Sequence, residues 1–291
     1  MNEFEYSAPS DVEEAIGLLG RPHARALAGG TDLVVQMREK RRQVLHVVDL
    51  KRIAALTRLE LEADGGVCIG AALNVTAMAR ETAMAAYPAV VQSGQMIGSY
   101  QIQNRASIGG NVCNAAPSAD AIPALICHDA RARIAGPKGR REVPVESLFI
   151  GPGRTHLDTQ EILMAIRLPP PPPHSAGCYL RFTPRREMDI AVAGVGAWLR
   201  LGARGEVMET RVALAAVAPT PLRAPQAERC LRGERLTVKL IEEAAHLAAR
   251  DATPISDTRG SAEYRRELVR TLARRALQGC VAQLELSREA T

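Results

Sequence analysis

Aromatic residues are scarce: Phe, Trp and Tyr make up only 3% of the 291 positions. They are too few and too scattered to form the stacking platforms that read single-stranded nucleic acid. The six cysteines, Cys68, Cys113, Cys127, Cys178, Cys230 and Cys280, form no C-x-x-C pair, so zinc and iron–sulfur sites lack local ligands. His23, His46, His128, His156, His174 and His246 show no i, i+3 or i, i+4 pairing, and no metal site is expected in this chain. Also missing are G-x-S-x-G, H-E-x-x-H, a Walker A sequence and a D-x-D calcium loop. Gly194-x-Gly196 lacks a third glycine and a following helix, which excludes a Rossmann reading. The best apolar run, Ile190 to Leu199, is about half of what a membrane span requires and reads as a buried strand. The amino terminus, Met1-Asn2-Glu3-Phe4-Glu5, has no basic segment and no apolar core of a signal peptide, so a cytoplasmic location is expected.

A large net charge of either sign is missing as well, with 37 basic against 32 acidic residues. The net charge is +5, and its excess lies wholly beyond residue 175. Arg265, Arg266, Arg270, Arg274 and Arg275 account for it, on a helix whose apolar face carries Tyr264, Leu268, Leu272 and Ala276. A solvated helix face explains this better than a nucleic-acid partner.

What is present is an alternation of short strands and helices. The capping box Ser10-x-x-Glu13 opens a helix ending near Gly20, after a short strand at Phe4 to Tyr6. Apolar Leu27-Ala28 leads into Gly29-Gly30-Thr31-Asp32, then a helical stretch through Leu33, Val34 and Met37, then a strand-like run from Val44 to Leu50. Further on come a strand at Val67 and Ile69, and helices around Met78 and around Val90 to Ile97. A second glycine turn, Ser107-Ile108-Gly109-Gly110-Asn111, precedes a helix from Asp120 to Cys127, with strands near Ala132 to Ile134 and Glu161 to Leu168. Pro169 to Pro173 mark a boundary or an exposed connection. Beyond them Tyr179 to Phe182, Ile190 to Leu199 and Val212 to Val217 form a three-stranded antiparallel meander, followed by two helices.

Two glycine pairs carry the chemistry. Each follows an apolar stretch and is flanked by hydroxyl or amide side chains and an acid: Gly29-Gly30-Thr31-Asp32, and Gly109-Gly110-Asn111 with Asp120. Adjacent N–H groups in such turns form an anion nest, and a following helix N-terminus adds a favourable field. Either pair alone also suits an ordinary tight turn. Together they suit a long diphosphate ligand.

The stretches Leu27 to Leu33 and Ser107 to Asp120 resemble the paired flavin motifs of the FAD-binding medium subunits of molybdenum hydroxylases. That family includes the carbon monoxide dehydrogenase medium subunit, the flavin domain of xanthine dehydrogenase and the beta subunit of hydroxybenzoyl-CoA reductase. Tyr179-Leu180-Arg181-Phe182-x-Pro184-Arg185-x-Glu187-Met188-Asp189-Ile190-Ala191 and Asp257-x-Arg259-Gly260-Ser261-Ala262-Glu263-Tyr264-Arg265 are similar to segments that open the family's C-terminal domain and its last helix. Gln103 and Ser107 stand where many relatives have Arg and Thr, and both keep hydrogen-bonding ability. The cysteine-bearing insertion of the hydroxybenzoyl-CoA reductase branch is missing, so its four-iron cluster is not expected.

The resemblance implies an α+β fold. Residues 1–175 would form a two-subdomain FAD-binding domain of the vanillyl-alcohol-oxidase (PCMH) type, with subdomains of about 1–60 and 61–175. Residues 176–291 would form a smaller α+β domain with a three-stranded antiparallel sheet and helices. It implies that Ala28, Gly29, Gly30, Thr31, Asp32 and Leu33 wrap the FAD pyrophosphate, and that Ser107, Ile108, Gly109, Gly110 and Asn111 line the second turn around it. Asn114 and Asp120 would meet ribityl or ribose hydroxyls. Leu163 would pack near the flavin or serve as a core strand residue. Arg181 would lie near the isoalloxazine, where a cation stabilises the reduced ring, or form a surface ion pair.

By the same resemblance the chain is a flavin electron-transfer subunit and carries no catalytic acid or base. Substrate oxidation would fall to a large molybdopterin subunit, and 2Fe-2S clusters of a small subunit would deliver electrons, in a dimer of heterotrimers. NAD+, oxygen, a quinone or another carrier would take them away. The alternative is a self-contained flavin-dependent oxidase or reductase with its own organic substrate. The Met- and Ala-rich stretch Thr76 to Met96 is the candidate docking face for partners.

Overall fold

The computed structural model describes residues 3–289. A parallel three-stranded sheet comes first, with Glu5–Ser7 and Ala24–Leu27 flanking the central strand His46–Asp49. Parallel neighbours need crossovers, and the helices Val12–Leu19 and Leu33–Arg38 supply them. The central strand is buried along its whole length, with apolar Val47 and Val48 between the buried polar residues His46 and Asp49, so its sequence shows no alternation. The first helix is capped by Asp11 rather than by Ser10: the Asp11 carboxylate accepts the Glu14 N–H at 2.8 Å. Both residue types serve at an N-cap, and the sequence offered both.

A five-stranded antiparallel sheet follows in the order Leu59–Leu61, Val67–Gly70, Ile162–Leu168, Arg131–Gly136, Gly139–Pro144. The helices Val75–Arg80, Pro88–Gln95, Ile108–Asn114 and Ala121–Cys127 belong to the same half of the chain. Met78, Met84 and Tyr87 are fully buried there. Met78 and Met84 thus fill interior space, as flexible apolar side chains commonly do, and the exposed residues of the stretch Thr76 to Met96 are Arg80, Glu81, Thr82, Ala85, Ala86 and Gln95 rather than its methionines.

The C-terminal sheet is an antiparallel meander of Ser175–Phe182, Ala193–Leu201 and Val207–Ala215, to which Leu222–Arg223 adds a short fourth strand. Its middle strand begins at Ala193 rather than Ile190, because Asp189 accepts the N–H groups of Arg185 and Ile190 and holds 185–190 as a turn. The helices Pro225–Leu231, Val238–Asp251 and Ala262–Glu289 complete this half, and a second large apolar cluster lies among them. Tyr179, Trp198 and Ala213 belong instead to the first cluster, so the two halves share packing. Gly196 makes this possible: a side chain there would meet the Pro123 backbone at 3.0 Å. Among the described residues no helix is long and apolar enough to cross a membrane.

The segment 257–265 is a clamp. Asp257 accepts from the Arg259 N–H and from the Arg265 guanidinium, and buried Arg265 also donates to the carbonyls of Val192 and Ala216. The Ala216 N–H in turn reaches the Pro117 carbonyl at 2.7 Å, tying the last helix to the loop after the second glycine pair. Arg265→Met leaves two carbonyls without this donor and is expected to lower stability by about 3 kcal/mol in urea denaturation of the full chain.

Candidate functional site

The two glycine segments meet across a trough. A cavity of about 80 Å³ is lined by Ala28 to Leu33 on one side and by Ser107, Gly110 and Asn111 on the other, with Ile97 and Ala106. Ala28 and Gly110 also line a larger adjoining cavity of about 640 Å³, together with Gly109, Asn114 and Leu163. Sequence positions nearly eighty residues apart thus form one continuous surface.

The backbone at the first pair is open to a ligand. Among the described residues the N–H groups of Gly29, Gly30, Thr31, Asp32 and Leu33 have no hydrogen-bond partner, whereas the Gly30 and Asp32 carbonyls are taken by the Val34 and Gln36 N–H groups. Gly30 has φ +79°, a conformation that favours glycine. Gly29 is required for a different reason: a Cβ there would lie 2.0 Å from the Arg105 carbonyl oxygen.

The second pair is not a turn. Gly109 and Gly110 lie in the first turn of the helix Ile108–Asn114, whose N-cap Ser107 accepts the Gly110 N–H at 3.0 Å. The hydroxyl cap outweighs the low helix propensity of two glycines. Gly109 is small because Ala71 lies against it: a Cβ would come within 2.5 Å of the Ala71 carbonyl oxygen. Ile108 is buried in the core, so its side chain takes no part in the trough, and its N–H faces the Leu73 carbonyl in the bridge that pairs Asn74 with Ser107, while the N–H of Gly109 has no partner among the described residues. Asn111 accepts the Ala121 N–H, and Asn114 accepts from Gln36 on the helix of the first motif.

Asp120 and Arg181 line neither glycine cavity. The buried Asp120 carboxylate accepts the Tyr179 hydroxyl at 2.8 Å and the Arg181 guanidinium at 2.6 Å. Burial pushes its carboxyl up to about 6, against the opposing pull of Arg181 and Tyr179. Both oxygens are therefore engaged by the C-terminal half, each with one hydrogen bond of the two it can accept. Arg181 has a partner ion, as the surface-pair reading expected, but a buried one. It also borders a separate cavity of about 490 Å³ with Gln103, Tyr100, Thr183, Arg186 and Glu187. Leu163 is a buried strand residue, as one of its two readings expected, and it also lines the large cavity.

Sequence reasoning passed over three arginines. Arg25, Arg42 and Arg154 line the larger cavity, and none has a carboxylate within ion-pair distance among the described residues. Burial, and then Arg42 beside it, pull the Arg25 guanidinium below its usual range. The available signal was Arg25 itself, a lone charge within the apolar strand Ala24–Leu27. Unpaired cations, open N–H groups and an apolar wall from Ile162 and Leu163 suit a ligand that is an anion in one part and a flat apolar ring in another.

Residues 2–171 match the family described as the FAD binding domain in molybdopterin dehydrogenase, and residues 179–280 match the CO dehydrogenase flavoprotein C-terminal domain. The chain belongs to the FAD-binding medium-subunit family of the molybdenum hydroxylases. It is 34% identical to the xanthine dehydrogenase FAD-binding subunit of Escherichia coli O157:H7, over 95% of this chain and 96% of that one. It is 31% identical to the carbon monoxide dehydrogenase medium chain of Hydrogenophaga pseudoflava, over 96% and 98%. A solved structure of carbon monoxide dehydrogenase from Hydrogenophaga pseudoflava, lacking the Mo-pyranopterin moiety of its cofactor, superposes with a TM-score of 0.92 at 33% identity, over 97% of this chain and 98% of that one.

Proposed function

We propose that this chain is the FAD-carrying electron-transfer subunit of a heteromeric molybdenum hydroxylase. The observation that carries the reading is the row of unpartnered N–H groups from Gly29 to Leu33, facing the Ser107-capped helix across one trough. Oriented backbone donors at a helix N-terminus stabilise a diphosphate without needing a dedicated charge. FAD supplies the exchange between one-electron and two-electron transfer. The residues of this chain do the rest: Ala28 to Leu33 and Ser107 to Asn111 hold the diphosphate, and Arg25, Arg42 and Arg154 balance its charge. Asn114 and Leu163 flank the remainder of the ligand, and Arg181 with Asp120 braces the site from the C-terminal half. The chain divides at the proline run into 1–175, with subdomains of about 1–60 and 61–175, and 176–291.

The relatives are named as subunits and medium chains, which favours partner-dependent chemistry over a self-contained oxidase. The partners are a large molybdopterin subunit and a small 2Fe-2S subunit, assembled as a dimer of heterotrimers in the cytoplasm. The acceptor is NAD+, oxygen, a quinone or another carrier. The chain purified alone is expected to show the two-band absorption of an oxidised flavin and to release FAD on denaturation, and iron–sulfur absorbance is expected on co-purification with the partners. Absence of flavin from both preparations would refute the assignment.

A further inference from the structure

Beside the first glycine loop lies a chain of three polar side chains that neither motif includes. The Tyr6 hydroxyl donates to Asp49 Oδ2 at 2.6 Å. Asp49 Oδ1 accepts the Lys51 ammonium at 2.6 Å and the Lys51 N–H at 3.0 Å. The same ammonium donates to the Ala28 carbonyl oxygen at 2.9 Å. Lys51 and Asp49 are mostly enclosed, with side chains 28% and 10% exposed. Burial alone would raise the Asp49 carboxyl, yet the hydrogen bonds from Lys51 and Tyr6 hold it below the usual carboxylate range, so it stays charged and keeps the ammonium in place.

The consequence comes from peptide geometry. The Ala28–Gly29 bond is trans, and in a planar trans peptide the C=O and the N–H point in opposite directions. Lys51 holds the Ala28 oxygen, so the Gly29 N–H is turned away from Lys51. That N–H has no partner among the described residues, and Ala28 and Gly29 both line the small cavity. The Arg105 carbonyl against the Gly29 Cα blocks another escape for the loop. Without the ammonium, the peptide is free to rotate and to offer its oxygen, rather than its N–H, to the trough. An oxygen there repels a phosphate.

We propose that Lys51, held by Asp49 and Tyr6, is a positioning residue for diphosphate recognition: it sets the orientation of the Ala28–Gly29 peptide that presents the first anion-binding N–H. The inference rests on the FAD reading above. Its test separates the two by titrating the full-length apo chain with FAD and with riboflavin, which shares the flavin ring but has no diphosphate. Wild-type chain that fails to bind FAD would overturn the FAD reading itself. Given wild-type binding, Lys51→Met is expected to weaken FAD about tenfold, the loss typical of one charge-assisted hydrogen bond, and to leave riboflavin affinity unchanged. Tyr6→Phe is expected to give a smaller loss of the same kind, and Lys51→Arg, which keeps the donor, to restore most of the FAD affinity. Should Lys51→Met not fold, Lys51→Gln is read by the same two titrations. FAD affinity within twofold of wild type, or equal losses for FAD and riboflavin, would overturn the role given to Lys51.

Discussion

Gly29→Ala is expected to lower the stability of the chain by about 3 kcal/mol, the upper end of the cost of overpacking, and to abolish retention of FAD. The added methyl would sit 2.0 Å from the Arg105 carbonyl oxygen, 2.6 Å from its carbon and 2.9 Å from the Ala106 Cα. All three are backbone atoms, so no side chain can swing away. The loop must retreat from the segment that leads into Ser107, and the trough then opens between its two walls. A thermal melt should fall by roughly 10 °C, and the purified chain should be colourless. Gly110→Ala is the informative contrast. Its methyl would approach only the Ser107 hydroxyl, at 3.0 Å, and otherwise project into the cavities that Gly110 lines. It should leave the melting temperature of the apo chain nearly unchanged while weakening FAD. Gly17→Ala serves as the control, since nothing lies within 4 Å of the new methyl and a helix gains by the exchange. Equal behaviour of the Gly29 and Gly110 variants would contradict the separate jobs assigned to them.

That contrast also shows how far the sequence could be read. Both glycine pairs were visible as a diphosphate signal, but the sequence presents them as equivalent turns, and the structure makes them different objects. One is a loop with a positive φ at Gly30; the other is the capped first turn of a helix packed on Ala71. The difference depends on Arg105 and Ala71, contacts that local pattern does not encode. Long periodic elements were legible because one face is buried, as in Val238–Asp251 with Ile241, Ala244, Ala245 and Ala248 inside. The edge strands were not: Leu59–Leu61 alternates but is only three residues long, and Gly139–Pro144 is largely exposed and leaves no apolar alternation to read. The unpaired arginines were equally hidden. A surface arginine and a cavity arginine look alike until the chain brings Arg25, Arg42 and Arg154 together.

Arg181→Met is expected to cost about 3–5 kcal/mol at pH 7.5, because it leaves the Asp120 carboxylate buried without its counter-ion. The size of that loss should depend on pH, and its sign follows from Asp120. Its folded-state carboxyl is raised to about 6 by burial, above the ordinary value near 4 of an unfolded chain. The native state therefore holds the proton more tightly, and the stability linked to it is present at low pH and lost as pH rises through about 6. Arg181 opposes this shift, so removing it raises the carboxyl further and widens the window. Urea denaturation should accordingly show the largest gap between variant and wild type at pH 7.5 and a clearly smaller one at pH 5, where the variant's Asp120 is protonated and needs no partner. Adding Asp120→Asn to Arg181→Met removes the charge altogether while the side-chain oxygen still accepts from Tyr179. The double variant should recover much of the loss at pH 7.5 and show little pH dependence, the non-additivity expected of two groups in direct contact. A loss of equal size at both pH values would instead place the role of Arg181 in packing. Because Asp120 directly precedes the helix Ala121–Cys127 that follows the second glycine motif, the same series read by FAD retention tests whether the C-terminal half holds that motif in place through this one buried pair.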